Sequence, residues 1–290
     1  MELCYQTFGD PADEPLLLVM GLGGPMTWWD AGLCRLLAQS GFYVIRYDNR
    51  DTGRSSRGTG RVTRPMLVRA FVGAKVEAPY GIADLAEDGF GLLDHLGIES
   101  AHVTGVSMGG MIAQTMAIAH PDRVRSLVSI MSTTGRRTVG WQDPRILPVM
   151  LAPKGQGLEA YVAAAARMGA LIGSPQYPES AESSRARAEE TYTRGISAAG
   201  VLRQMLAVLT QPDRAPALAR LHLPAAVIHG MEDRMVNPSG GRATARAIPG
   251  AQLLLIPGMG HDLPPELWET FRDVIRHTAD KAAVSEAAAS

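Results

Sequence analysis

The sequence predicts an α/β protein, a mostly parallel, doubly wound sheet with helices on both faces and an inserted helical cap. Three observations predict it. Short apolar runs alternate with helical patterns along the chain, which is how strand–helix–strand units read. The runs are nearly continuous in apolar character, as befits strands covered on both faces. The alternation lapses once, from about Thr133 to Leu218, where helical patterns continue without a clear strand.

Taken in order, Leu16–Met20 reads as a buried strand between Pro15 and Gly21, followed by a helix over about Thr27–Gln39. Tyr43–Tyr47 is the next strand. A helix over Ile82–Leu96 carries an apolar stripe of Ile82, Leu85, Phe90, Leu93 and Leu96, with Asp84, Glu87, Asp88 and Asp94 mostly off it. Ala101–Val106 and Ser126–Met131 are strands, with a helix over Met108–Ala119 between them. The insertion holds helical patterns at Gly157–Met168, Glu182–Thr193 and Ala198–Leu209, separated by Pro- and Gly-bearing segments such as Gly173-Ser-Pro-Gln-Tyr-Pro178. Two further strands, Ala225–His229 and Gln252–Ile256, alternate with helices at Gly240–Ala247 and Pro265–Thr278. The tail from Asp280 is rich in Ala and Ser and is expected to fray. The domain reading is a core of residues 1–132 and 219–279, a helical cap at 133–218 and a flexible tail at 280–290. A length of 290 residues, which at about 150 per domain suggests two units, thus becomes one core interrupted by a cap.

Composition excludes several classes. The formal charge is −1, from 28 basic and 29 acidic residues, which argues against an electrostatic nucleic-acid binder, since that needs a basic face. The longest apolar runs fall far short of the ~20 residues that span a bilayer. The N-terminus lacks the basic region and long apolar stretch of a signal peptide, and a cytoplasmic protein is expected. Cys4 and Cys34 have no metal-ligand spacing and read as free thiols in a reducing compartment.

Chemistry concentrates at Gly105-Val106-Ser107-Met108-Gly109, a G-x-S-x-G pentapeptide with a strand before it and a helix after it. Such a turn strains the serine and presents its hydroxyl at a helix N-terminus, with small neighbours where strand and helix backbones nearly touch. Ser107 is the candidate nucleophile. It needs a base, and the base needs an orienting acid. Of seven histidines, His95, His102, His120, His222 and His277 lie in helices or away from strand C-termini. His229 ends a strand and reads as a packing residue. His261 sits in Pro257-Gly-Met-Gly-His-Asp262, between the last strand and the last helix, and is the candidate base. The acid is expected between them in the chain, after a strand. Asp233 and Glu232 both qualify, and Asp233 fits better by its distance from the strand. Asp262 reads as a loop-stabilising residue. The oxyanion needs two backbone N–H donors. Met108 supplies one, and Leu22, in the loop Met20-Gly-Leu-Gly-Gly24, is expected to supply the other. That loop lacks the remaining fingerprint and the lysine of a phosphate loop. In Asp48-Asn-Arg-Asp-Thr-Gly-Arg-Ser55, Asp48 and Arg50 are expected to pin the loop through local hydrogen bonds, with Gly53 at the turn.

With these motifs in this order, the chain resembles the α/β-hydrolase family over about residues 2–278. Tyr47-Asp-Asn-Arg-Asp-Thr-Gly-Arg-Ser55, Gly105-Val-Ser-Met-Gly109 and Ile256-Pro-Gly-Met-Gly-His261 look like its serine carboxylesterase branch, the one that includes aclacinomycin methylesterase. The resemblance implies the α/β-hydrolase fold with a helical cap, and ester hydrolysis through Ser107, His261 and Asp233 without metal or organic cofactor. Relatives often carry His-Gly where this chain has Met20-Gly21, which changes the polarity of the site floor.

The expected function is hydrolysis of small to medium apolar carboxylic esters, with a small-molecule ester as partner and a homodimer allowed. On the same triad, a cofactor-free haloperoxidase, a perhydrolase and a C–C bond hydrolase are the alternatives. A non-catalytic small-molecule receptor is the alternative of another class. A serine nucleophile disfavours a haloalkane dehalogenase. Of the 14 methionines, Met20, Met26, Met108, Met111, Met131, Met231, Met235 and Met259 fall at or just beyond strand C-termini or beside them. Core filling is one account of them. The other is a deformable apolar pocket, for which Met20, Met26, Trp28, Met131 and Met235 are the candidates.

Overall fold

The computed structural model describes residues 1–151 and 155–289. Seven strands are present: β1 (Tyr5–Phe8), β2 (Glu14–Val19), β3 (Phe42–Tyr47), β4 (Ala101–Val106), β5 (Val124–Ile130), β6 (Ala225–Gly230) and β7 (Gln252–Ile256). They form one sheet in the order β1-β3-β2-β4-β5-β6-β7. Only β1 is antiparallel to its neighbour, with Tyr5 opposite Tyr47; the other pairs are parallel. The helices are α1 (Ala31–Ala38), α2 (Arg64–Phe71), α3 (Ile82–His95), α4 (Met108–Ala119), α5 (Ile146–Leu151), α6 (Leu158–Ile172), α7 (Ala181–Gly195), α8 (Ala198–Thr210), α9 (Ala215–Leu218), α10 (Ser239–Ala247) and α11 (Trp268–Ala289).

The strands alternate inside the sheet even though both faces are buried. Leu17, Val19, Ile45, Tyr47, Val103 and Leu127 pack with α3 and α4. Leu16, Leu18, Val44, Val128, Ile130 and Ile228 pack with α1 and α11. A two-residue period therefore serves two cores, which explains why the strands read as unbroken apolar runs. His102, at the amino end of β4, belongs to this packing. Burial, helped by Arg125 and Arg276, lowers its pKa to about 3, so the ring is neutral, with Nδ1 2.8 Å from Ser126 Oγ.

Several local expectations change. β1, α2, α5 and α9 stand outside the elements read from the sequence. The expected helix over Thr27–Gln39 divides into a 3-10 turn at Met26–Trp28 and α1, because the Asp30 carboxylate accepts from Gly32 N at 2.6 Å and caps a new start. The last helix continues to Ala289, past the expected end at Thr278. Between β5 and β6 the described residues hold helices α5 to α9 and no strand.

Topology positions the site. From β2 the chain moves one way to β3, then returns to place β4 on the other side of β2. Val19 and Gly105 are register partners at the carboxyl ends of these strands. Connections leaving in opposite directions open a crevice there, the usual ligand position in open α/β sheets. The loop Met20–Gly24 and Ser107 both start from it.

Candidate active site

Ser107 lies between the last residue of β4 and the first of α4, with φ 59° and ψ −120°. A non-glycine residue with positive φ is strained, and the surroundings must hold it. Here Ser107 N donates to Ile130 O at 2.9 Å, and Ser107 O accepts from Ser132 Oγ at 2.7 Å. The flanking glycines are required sterically. A Cβ on Gly105 would stand 2.1 Å from Gly109 O, and one on Gly109 would stand 2.0 Å from Val19 O. Both neighbours are backbone atoms of the central sheet or its following helix, so neither can move aside cheaply. Gly109→Ala is accordingly expected to destabilise the fold by at least about 3 kcal/mol. Urea unfolding checks this, and a loss under about 1 kcal/mol, the ordinary size of a point substitution, would contradict the packing argument.

The loop after β2 passes directly over the serine. A Cβ on Gly21 would lie 3.1 Å from Ser107 Cβ and 3.6 Å from its Oγ. Gly24 N donates to Gly21 O at 3.2 Å, closing a turn in which Gly23 has φ +69°. Leu22 is the first central residue of that turn. Among the hydrogen bonds of the described residues, none is donated by the backbone N–H of Leu22 or of Met108. Both N–H groups are therefore able to donate to an incoming acceptor.

Asp233 follows β6 in a tight turn and is 4% exposed. Its carboxylate is saturated. Oδ1 accepts from Met235 N and Val236 N, each at 2.9 Å. Oδ2 lies 2.7 Å from His261 Nδ1 and 3.3 Å from His229 Nε2. Burial pushes the carboxyl pKa up, but the charge of His261 and the hydrogen bonds from His229 and His261 outweigh it and hold the group below its ordinary value. An ionised carboxylate only accepts, so His261 Nδ1 donates to it, and in the neutral ring the lone pair is then on Nε2. Glu232, the other acid considered, is exposed.

His261 is positioned from two sides. Asp233 holds the ring, and His261 N donates to Ile172 O at the end of α6, at 2.7 Å. Gly260 N donates to Ser174 Oγ at 2.8 Å, and Ser174 Oγ donates to the Asp262 carboxylate. The histidine loop is thus tied to the segment after α6, with Asp262 as one of its fastenings. Among the hydrogen bonds of the described residues, none joins Ser107 to His261. Such bonds are commonly long without substrate and tighten when it binds.

His229, which the sequence presents as a packing residue at the end of β6, does more than pack. It is fully buried, and its Nε2 lies 2.8 Å from Val236 O as well as near the Asp233 carboxylate. A histidine four residues before the acid, at a strand end, was the available signal. Fold context alone shows that its ring turns back onto that acid.

The loop Asp48–Ser55 is pinned, but not only locally. Asp48 accepts from Met26 N at 2.7 Å and Arg54 N at 2.9 Å, and pairs with Arg194 of α7 at 2.9 Å. Asp51 pairs with Arg203 of α8 at 2.5 Å and accepts from Tyr80 Oη at 2.7 Å. Arg50 pairs with Asp88 of α3 at 2.5 Å. Among the pocket candidates, Met20 and Met131 are packed with α1 and α11, where core filling accounts for both. Met26 is buried. Trp28 is 38% exposed, with Nε1 donating to Thr191 Oγ1 at 3.0 Å, and half-buried Met235 receives Gln142 Nε2 at its sulfur. Among the described residues no cluster of three or more His, Cys, Asp or Glu is placed to hold a metal ion.

A sequence profile described as the alpha/beta hydrolase fold matches residues 14–266. The chain therefore belongs to the α/β hydrolase fold family. It is similar to rhodomycin D methylesterase DauP of a Streptomyces species, 30% identical over 286 residues, covering 90% of this chain and 89% of that protein. It is also similar to 3-oxoadipate enol-lactonase 2 of Acinetobacter baylyi, 29% identical over 248 residues, covering 83% and 79% of the two chains. Among solved structures, the enol-lactonase from Burkholderia xenovorans superposes with a TM-score of 0.71 at 23% identity, over 95% of each chain, a likeness of fold.

Proposed function

We propose that the chain is a serine carboxylesterase that hydrolyses small to medium apolar esters through an acyl-enzyme. Its place among carboxylic ester hydrolases is supported by the methylesterase and the enol-lactonase it resembles, since a lactone is a cyclic ester. The finer reading is carried by one observation: a strained Ser107 flanked by the unpartnered N–H groups of Leu22 and Met108.

In this reading His261 Nε2 takes the Ser107 proton as Oγ attacks the ester carbonyl. The carbonyl oxygen becomes an oxyanion held by the Leu22 and Met108 N–H groups, which are aimed before reaction and need no reorganisation. His261 protonates the departing alkoxide. It then takes a proton from water, which attacks the acyl carbonyl, and returns that proton to Ser107 Oγ as the acid is released. Asp233 keeps the imidazole in the Nδ1–H tautomer and stabilises the imidazolium. The helices between β5 and β6 act as a cap, with Trp28 and Met235 in the acyl or alcohol pocket. Cys4 and Cys34 are free thiols, which suits a reducing cytoplasm.

A panel of 4-nitrophenyl esters from acetate to palmitate, extended with methyl esters of bulky acids, tests the reading. Turnover is expected to be greatest at short to medium chains and to disappear in Ser107→Ala. Failure to turn over any ester, with tight binding of small molecules retained, would overturn it in favour of a receptor.

A further inference from the structure

One cap side chain reaches the loop that carries the second oxyanion donor. Gln204, on α8, is fully buried and makes three hydrogen bonds. Its Oε1 accepts from Gly23 N at 2.8 Å. Its Nε2 donates to Arg50 O at 2.8 Å and to Thr52 Oγ1 at 2.9 Å. The amide has only one workable orientation. Gly23 N can only donate and Arg50 O can only accept, so a flipped amide would set donor against donor and acceptor against acceptor. A single side chain therefore joins the loop after β2 to the loop after β3.

The surroundings hold α8 against these loops. Arg203, the preceding residue, makes a bidentate pair with Asp51 at 2.8 and 2.5 Å and donates to Gly60 O at 3.0 Å. A Cβ on Gly200 would stand 2.6 Å from Asp51 O, so helix and loop are in close contact there. Val201 Cγ2 lies 3.2 Å from where a Cβ on Gly23 would be. Gly23 and Leu22 are the two central residues of the turn closed by Gly24 N and Gly21 O. The Gly23 N–H lies in the Leu22–Gly23 peptide plane and the Leu22 N–H in the plane before it, whose Gly21 O accepts from Gly24 N, so the Gln204 clamp and the turn bond together hold the segment that carries the Leu22 N–H.

We propose that Gln204 is a positioning residue for the oxyanion hole, clamping the Gly21–Gly24 turn from the cap so that Leu22 N–H is aimed at the developing oxyanion. This inference rests on the esterase reading above. It has a consequence for the cap. A cap lifted away from the β3 loop takes the clamp with it, so full transition-state stabilisation requires the cap to be seated. The cap is then part of the catalytic apparatus as well as a cover for substrate.

The test is Gln204→Met, which keeps the length and volume of the side chain and removes the acceptor. Hydrolysis of 4-nitrophenyl butyrate and inhibition by phenylboronic acid, whose serine adduct places an oxygen at the oxyanion position, are measured beside Ser107→Ala. Removing an oxyanion donor outright costs about 10²–10³ in kcat. Loosening its support is expected to lower kcat about 10- to 100-fold, with KM within about threefold, and to weaken boronic acid binding by a similar factor. A kcat within about twofold of the wild type, or a raised KM with kcat unchanged, would overturn the proposal and leave Gln204 as a structural or pocket residue. Should Gln204→Met not fold, Gln204→Ser, too short to reach Gly23, carries the same comparison. If Ser107→Ala retains hydrolysis, the esterase reading itself fails. If Ser107→Ala is inactive while Gln204→Met is unimpaired, only the clamp fails.

Discussion

Ser107→Ala is expected to lower kcat for carboxylic esters by about 10⁵-fold or more, the size of effect seen when a serine hydrolase loses its nucleophile. The substitution removes Oγ and little else. The bonds that fix the turn involve Ser107 N and O, through Ile130 O and Ser132 Oγ, and alanine keeps both. The N–H groups of Leu22 and Met108 also remain. KM and the unfolding midpoint should therefore stay close to those of the wild type, which separates lost chemistry from lost structure. Steady-state kinetics with thermal unfolding checks both parts. Substantial residual turnover would mean that another group attacks the ester.

Asp233→Asn is expected to cost about 10⁴-fold in kcat. The reason lies in the count of donors around the side chain. Met235 N, Val236 N, His261 Nδ1 and His229 Nε2 all approach the carboxylate. An amide offers one accepting oxygen, and its nitrogen is itself a donor. If that nitrogen faces His261, the ring must present an unprotonated Nδ1 and carry its proton on Nε2, where it can no longer take one from Ser107. Kinetics at several pH values checks this, and activity within about tenfold of the wild type would contradict the role given to the acid. Stability has its own signature. Folding holds the Asp233 carboxyl below its ordinary value. Its contribution is therefore present above the unfolded value, near pH 4, and is lost as pH falls through the lower folded value. Asp233→Asn should flatten that part of the acid unfolding curve.

Much of this arrangement was legible in the sequence because it depends on local chemistry. Gly105, Ser107 and Gly109 between a strand and a helix specify a strained turn, and the backbone contacts of those glycines follow from it. Asp233 and His261 could be located because each comes shortly after a strand, buried β6 for the acid and the more exposed edge strand β7 for the histidine. Features made by tertiary packing were less legible. β1 is four residues long and partly exposed, and it exists through its antiparallel pairing with β3. The partners of Asp48 and Asp51 come from α7 and α8, 146 and 152 residues away along the chain. No periodicity announces them. His229 looked like a packing residue, which it is, but its ring also touches the acid. Gln204 is one polar residue on an otherwise largely apolar α8, and its meaning depends on which loops lie beneath that helix. The methionines near strand ends had two readings, and for Met20 and Met131 burial in the core is sufficient.

Ser107 is expected to become acylated during ester hydrolysis, and intact-mass spectrometry of the enzyme quenched during turnover of a slowly deacylating 4-nitrophenyl ester checks this. A mass increase of one acyl group is expected, located by peptide mapping to Ser107 and missing from Ser107→Ala. Hydrolysis that proceeds with no acyl adduct, or with the adduct on another residue, would contradict it.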